Sequence, residues 1–186
     1  LDNEVAAELG PLKLEKARLF TQVEPGTVDD GGPYGLDRVS FFVRTNPGTE
    51  PGPLMKVASG GELARVILAL KVVLAARGSA PTLVFDEVDA GVGGATAAAV
   101  GERLARLGSG VQVLAVTHAP QIAALANEHM LIAKEAVPGP DGEAMATRVL
   151  VLDGERRREE IARMLAGQTI TDEARAAAER LMSKSA

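Results

Sequence analysis

The chain has 186 residues, 46% of them hydrophobic and 24% charged, with 20 glycines, no cysteine and a formal net charge of −5. That length and apolar fraction suffice for one compact domain or a large half of one; the missing cysteines exclude disulfides and thiolate metal sites and suit a cytosolic protein. The negative balance argues against a surface that coats nucleic acid throughout, though not against a local patch, and no apolar run approaches the ~18 residues of a membrane span.

The chain opens at Leu1 rather than Met, with no targeting pattern, and reads as a piece of something longer. Leu1, Val5 and Leu9 recur at i, i+4 and i+8 before Gly10-Pro11, as in the last turns of a helix. Two readings stand open: a frayed terminal helix, or residues 1–10 as the end of a helical, coiled-coil arm with 11–186 as the globular body. Arg18 to Val23 is expected to be a strand, Glu24 to Gly35 a Pro/Gly/Asp-rich turn, and Leu36 to Thr45 the returning strand, with Val39, Phe41 and Val43 alternating. Asn46 to Pro53 is a loop by composition.

Ser59-Gly60-Gly61 then precedes a helical stripe of Leu63, Val66, Ile67, Leu70 and Leu74. Ser59 is placed to cap that helix, and the two glycines leave its first N–H groups uncovered at the positive end of the dipole, a recipe for an anion site. An ordinary Ser cap with a flexible approach fits the same residues.

After a break at Arg77 to Pro81, Thr82-Leu83-Val84-Phe85 is a short apolar run of the kind buried on both faces of a parallel sheet. It ends in Asp86-Glu87, and adjacent carboxylates there are costly without a cation or donor. Ligands bind at that edge of α/β sheets, where Asp86 can face Mg²⁺ while Glu87 orients an attacking water; a pair of solvated loop acids is the alternative. A glycine-rich loop, Val88 to Gly94, leads to a helix over about Ala95 to Leu107, with Val100, Leu104 and Leu107 on one face. Val111 to Val116 is a second buried strand, closing at Thr117-His118, and Pro120 suits the first position of a helix that turns Ile122 and Leu125 inward. His118 at a strand end beside the carboxylate strand is a site candidate; His129 has no such context and reads as structural. A strand at Met130 to Ala133, a loop at Pro138 to Glu143, a strand at Thr147 to Leu152 and two helices follow. The first helix should turn Ile161, Met164 and Leu165 inward, and the second should start at a cap on Thr171. Arg156-Arg157-Arg158 reads as a solvated helix start rather than a DNA contact.

Three motifs stand in order: Ala58-Ser59-Gly60-Gly61-Glu62, then Leu83 to Glu87 with Val88-Asp89-Ala90-Gly91, then Val116-Thr117-His118. This set resembles the second half of an ABC-type ATPase head, with signature loop, Walker B plus D-loop and switch histidine. Thr45-Asn46-Pro47-Gly48, Lys56 to Leu63, Phe85 to Gly91 and Thr117 to Ala123 are closer still to the RecN family, bacterial DNA-repair ATPases of the SMC (structural maintenance of chromosomes) group. Ala64 and Ala119, where that family would have serine and leucine, are mild departures. No Gly-x-x-x-x-Gly-Lys-Ser/Thr occurs, so there is no Walker A loop to cradle phosphates.

The resemblance implies an α/β fold: the carboxyl-terminal lobe of an ABC/SMC-type head, a largely parallel sheet flanked by helices, with an antiparallel hairpin near the amino terminus. It implies ATP and Mg²⁺, an amino-terminal lobe carrying Walker A, and a second head in a homodimer. DNA, as ends or double strands, is the implied partner, in the cytoplasm on the bacterial nucleoid and not at a membrane. Asp86 would hold Mg²⁺ through water, Glu87 would activate the attacking water, and His118 would contact the γ-phosphate. Ser59, Gly60, Gly61 and Glu62 would form the loop that closes over the opposite head's nucleotide, and Asp89 would couple the two sites. An ABC transporter's nucleotide-binding domain and a non-hydrolysing scaffold are the competing readings. Asp86-Glu87-Val88-Asp89-Ala90-Gly91 favours the SMC group, and Glu87 with His118 argues against the scaffold.

Overall fold

The computed structural model describes residues 1–57, 60–74, 80–139, 142–167 and 169–183. They form a mixed α/β chain of two compact units, Leu1–Thr117 and His118–Ala186.

In the first unit, α1 (Asp2–Leu9) buries Val5 and Leu9 completely. The Asp2 carboxylate accepts both the backbone N–H (3.0 Å) and the hydroxyl (2.6 Å) of Thr21, pinning α1 to β1 (Arg18–Glu24). The hairpin is present: β1 pairs antiparallel with β2 (Arg38–Arg44), Leu19 lies opposite Val43, and both are buried. The two-residue β3 (Gly52–Pro53) adds to β2, and the short α2 (Leu54–Val57) follows it.

Helix α3 (Gly60–Leu74) is found where the stripe predicts it, but its fully buried residues are Val66, Leu68 and Ala69. Leu63, Ile67, Leu70 and Leu74 are half-buried instead. The reason is packing on two sides, because α3 contacts both α1 and α4 (Gly94–Gly108). Helix α4 buries Ala97, Val100, Leu104 and Leu107, the expected face. Glu8 on α1 reaches across to α4, accepting from Arg103 Nε at 3.2 Å and Arg106 Nη2 at 2.6 Å.

Strands β4 (Thr82–Asp86) and β5 (Gln112–Val116) are parallel, with Phe85 opposite Ala115 and Asp86 opposite Val116. The expectation that this pair is buried on both faces fails. Phe85 is buried, and the Lys71 ammonium lies 4.5 Å from its ring centroid. On the other face Val84 and Val116 are each 60% exposed and Leu114 45%. Among the described residues nothing covers that face.

The second unit starts at His118 and contains α5 (Pro120–Ala123), the hairpin β6 (His129–Gly139) and β7 (Gly142–Leu152), then α6 (Gly154–Ala166) and α7 (Asp172–Met182). Its core is Ala124, Ile161, Ala162, Ala174 and Ala178, with Ile170, Leu181 and Met182 against it. Asp153 caps α6 through the Arg156 N–H (2.9 Å), and Thr171 caps α7 through the Ala174 N–H (3.3 Å), as its sequence position suggests. Arg175 to Glu159 (2.8 Å) and Arg158 to Glu179 (2.9 Å) link the two helices.

Three expectations are corrected here. The hairpin strands are 11 residues each, so most of the segment read as a loop is strand: antiparallel pairing continues out to Gly139 and Gly142. Helix α5 is a single turn that stops before Leu125. On α6 the inward pair is Ile161 and Ala162, whereas Leu165 is 37% exposed, because small Ala174 and Ala178 on α7 draw that face in closely.

Candidate functional site

Gly60 and Gly61 begin α3, and the turn after β4 is packed against Gly61. A Cβ built on Gly61 would lie 2.6 Å from the Ala90 carbonyl oxygen and 3.6 Å from Arg65 Nη1, while one on Gly60 would meet nothing within 4 Å among the described residues. Only a residue without a side chain permits this approach at Gly61. Arg65, one turn into α3, has its pKa lowered by desolvation, which the charge of Glu62 opposes. Glu62 is half-buried in the first turn of the same helix. Ser59 lies outside the described residues.

Asp86 ends β4 with its side chain exposed, and Glu87 follows, also exposed. Glu87 has φ 51°, in the left-handed region that costs a residue with a Cβ about 1 kcal/mol or more. The turn then closes on itself, the Ala90 N–H donating to the Glu87 carbonyl (2.9 Å) and the Val92 N–H to the Asp89 carbonyl (3.1 Å). Val88 and Asp89 are buried at 2% and 1% exposure. A carboxylate in that position needs a donor; the Thr117 hydroxyl at the end of β5 supplies one, 2.5 Å from Asp89 Oδ2. Asp89 thus ties the turn after β4 to the end of β5 within its own unit.

The first unit therefore brings together Gly60, Gly61, Glu62, Asp86, Glu87 and Asp89 on two adjoining segments. His118 is the first residue of the second unit, exposed and followed by buried Ala119. The Ala119 carbonyl accepts the N–H groups of Ile122 (3.0 Å) and Ala123 (3.1 Å), so His118 enters directly upon the α5 turn.

Two structural features escape a reading of the sequence. Thr117 is the partner of Asp89, 28 residues away, with no local signal. Arg157 does not face solvent as a member of a charged run; its guanidinium donates to the carbonyls of Ala123, Ala124, Ala126 and Asn127. Burial lowers its pKa, though an arginine stays charged. His129, half-buried, has its pKa lowered by burial first and the charge of Arg157 second, against a smaller opposing effect of Glu160.

No family model matches the chain. Similar proteins are nevertheless clear. Over 95% of its length the chain is 44% identical to the DNA repair protein RecN of Xylella fastidiosa (strain 9a5c), and over 96% it is 45% identical to RecN of Streptomyces coelicolor. RecN of Deinococcus radiodurans is 53% identical over 73% of the chain. The chain matches the carboxyl-terminal segment of RecN. It spans about a third of the length of the first two RecN proteins, 31% and 32%.

The fold of this RecN-like segment is that of an SMC head, the ABC ATPase fold. The Smc head domain with a coiled coil and joint from Pyrococcus yayanosii aligns with 86% of the chain at TM-score 0.60 and 19% identity, 28% of that chain being covered. A structure of SMC ATPases described for ATP-driven dimerization and DNA-stimulated activation aligns at TM-score 0.55 and 18% identity, covering 90% of this chain and 92% of that one. Among the described residues no helix is long and apolar enough to cross a membrane.

Proposed function

We propose that this chain is the carboxyl-terminal half of an SMC-like ABC ATPase head that serves repair of DNA double-strand breaks. An amino-terminal lobe of the same protein completes it, and it hydrolyses ATP when paired with a second head. The observation that carries this reading is Glu87. It is held at φ 51° at the exposed end of β4, beside Asp86, in a turn that abuts Gly61. Strain of this sort persists only where the surrounding structure over-determines it, and it concentrates at functional sites.

The roles follow the sequence motifs, and for Asp86, Glu87, Gly60 and Asp89 the observed position supports them. Glu87 accepts the proton of the attacking water, and its fixed backbone limits where the carboxylate can reach. Asp86, exposed at the strand end, is the hard oxygen donor that suits Mg²⁺ through water, and the ion when bound offsets charge on the transferring phosphoryl group. His118 contacts the γ-phosphate. Ser59 and the N–H groups of Gly60 and Gly61 close over the nucleotide of the opposite head, with open space at Gly60 for its approach. Glu62 supports that loop, and Asp89 joins it to the opposite site by fixing the turn that carries Glu87.

The half-head reading is supported by the bare face of β4 and β5, where Val84, Leu114 and Val116 await a cover. Residues 1–10 are then the end of the arm and 11–186 the lobe. Its partners are the amino-terminal lobe, a second head, and DNA as ends or double strands, in the bacterial cytoplasm at the nucleoid.

The test is Glu87→Gln in the complete protein. It should bind ATP normally, lose turnover by a hundredfold or so, and accumulate as dimers during sedimentation in ATP. Turnover at the wild-type rate would remove Glu87 from the role of base. The isolated chain should show no ATPase until the amino-terminal lobe is added.

A further inference from the structure

Helix α5 is four residues long, too short to hold itself together in water. The carbonyls at its carboxyl end need donors from outside the turn. Backbone N–H groups supply part of them, Leu125 to the Ile122 carbonyl (3.0 Å) and Ala126 to that of Ala123 (3.4 Å), and one side chain reaches the carbonyls that follow. Arg157 Nη2 donates to the carbonyl oxygens of Ala123 (3.1 Å), Ala124 (2.9 Å) and Ala126, and Nη1 donates to Asn127 (3.4 Å). Arg157 itself is anchored in the first turn of α6, where its N–H donates to the Asp153 carbonyl at 2.8 Å. Ala124, 1% exposed, packs into the Ile161 core beside it.

We propose that Arg157 is a positioning residue for the ATPase reaction: by clamping the carboxyl end of α5 it fixes the backbone that presents His118. The inference rests on the reading of His118 as the γ-phosphate contact. The path is short. His118 joins Ala119, whose carbonyl accepts the N–H groups of Ile122 and Ala123, and Ala123 is the first carbonyl that Arg157 holds. One helical turn, about 5.4 Å of rise, separates the clamp from Ala119, the residue after the histidine.

Loss of the guanidinium leaves four carbonyls without this donor, and the turn can fray together with the segment before it. A lysine cannot substitute, since its ammonium is a point donor and the fork of Arg157 spans carbonyls from Ala123 to Asn127. His129 feels the charge of Arg157, whereas burial is what lowers the pKa of Arg157 itself.

The test is a double-mutant cycle on ATP hydrolysis by the complete protein, with Arg157→Gln, His118→Ala and the pair. Arg157→Gln should lower kcat at least tenfold, in line with the cost of misplacing a reacting group, with the KM for ATP within about twofold of wild type. In the His118→Ala background the same substitution should change kcat by less than about twofold, because there is no histidine left to position. Arg157→Lys should behave like Arg157→Gln, and it carries the test if the glutamine variant fails to fold by circular dichroism. Wild-type kcat in the arginine variants, or an equal loss in both backgrounds, overturns the positioning role while leaving the site intact. Wild-type kcat in His118→Ala alone overturns the site reading, and the positioning role with it.

Discussion

Gly61 and Ala90 meet backbone to backbone, so closely that a methyl group on Gly61 would sit 2.6 Å from the Ala90 carbonyl oxygen. The start of α3 and the turn after β4 are thereby one mechanical piece. On the proposed reading, the segment that would reach a partner's nucleotide is packed directly on the segment that carries Glu87.

Substitutions at the two glycines should therefore differ in sign. Gly61→Ala must push the Ala90 carbonyl away, and thermal melting of the complete head should shift down. Gly60→Ala meets no atom of the described residues and adds a better helix former, worth up to about 1 kcal/mol, so its melting point should hold or rise. If the proposed head pairing holds, both should impair ATPase activity, Gly60→Ala because its methyl would enter the space that the opposite head's nucleotide must approach. Equal melting of the two variants would show that the Gly61 contact is slack.

Glu87→Gly should separate stability from activity. Relief of the left-handed strain at φ 51° should raise stability by up to about 1 kcal/mol in urea unfolding, while ATPase activity is lost with the carboxylate. A variant that is inactive and less stable than wild type would mean that Glu87 has native contacts outweighing its strain.

The exposed face of Val84, Leu114 and Val116 should bind an apolar dye when the chain is alone. Adding the amino-terminal lobe should quench most of that fluorescence. Val84→Ser with Leu114→Ser should weaken association of the two lobes tenfold or more in sedimentation, from the lost burial of two large side chains. Unchanged association would place the lobe contact elsewhere.

His129 gives a pH dependence with a defined sign. Burial and Arg157 hold its pKa below the ordinary value of 6.5, so the folded chain binds fewer protons here than the unfolded chain. The stability contributed by neutral His129 is complete above about pH 6.5 and is lost as pH falls below it. The fall in melting temperature between about pH 7.5 and 5.5 should be shallower in His129→Gln than in wild type. Parallel curves would show that His129 does not titrate differently on folding.

Much of this chain was legible as one-dimensional pattern. The alternation of Val39, Phe41 and Val43, the capped start at Thr171 and the apolar run ending at Asp86-Glu87 all appear as elements in their expected places. Those features arise from backbone geometry and from contacts a few residues apart, which local spacing records directly. The covered face was legible for α4 but not for β4, α3 or α6. The run Thr82 to Phe85 is apolar throughout, and only the tertiary structure, with Lys71 of α3 over the Phe85 ring, leaves Phe85 inside and Val84 out. The stripe on α3 identified a helix, yet its two neighbours decide that Leu68 is buried more deeply than Leu63. Asp89 and Thr117 are 28 residues apart, and Arg157 is 33 from Ala124. Such pairs form because burial leaves a charge or a carbonyl short of a hydrogen bond, and the nearest donor in space need not be near in sequence. Charge alone placed Arg157 in solvent; the unsatisfied end of α5 draws it inward.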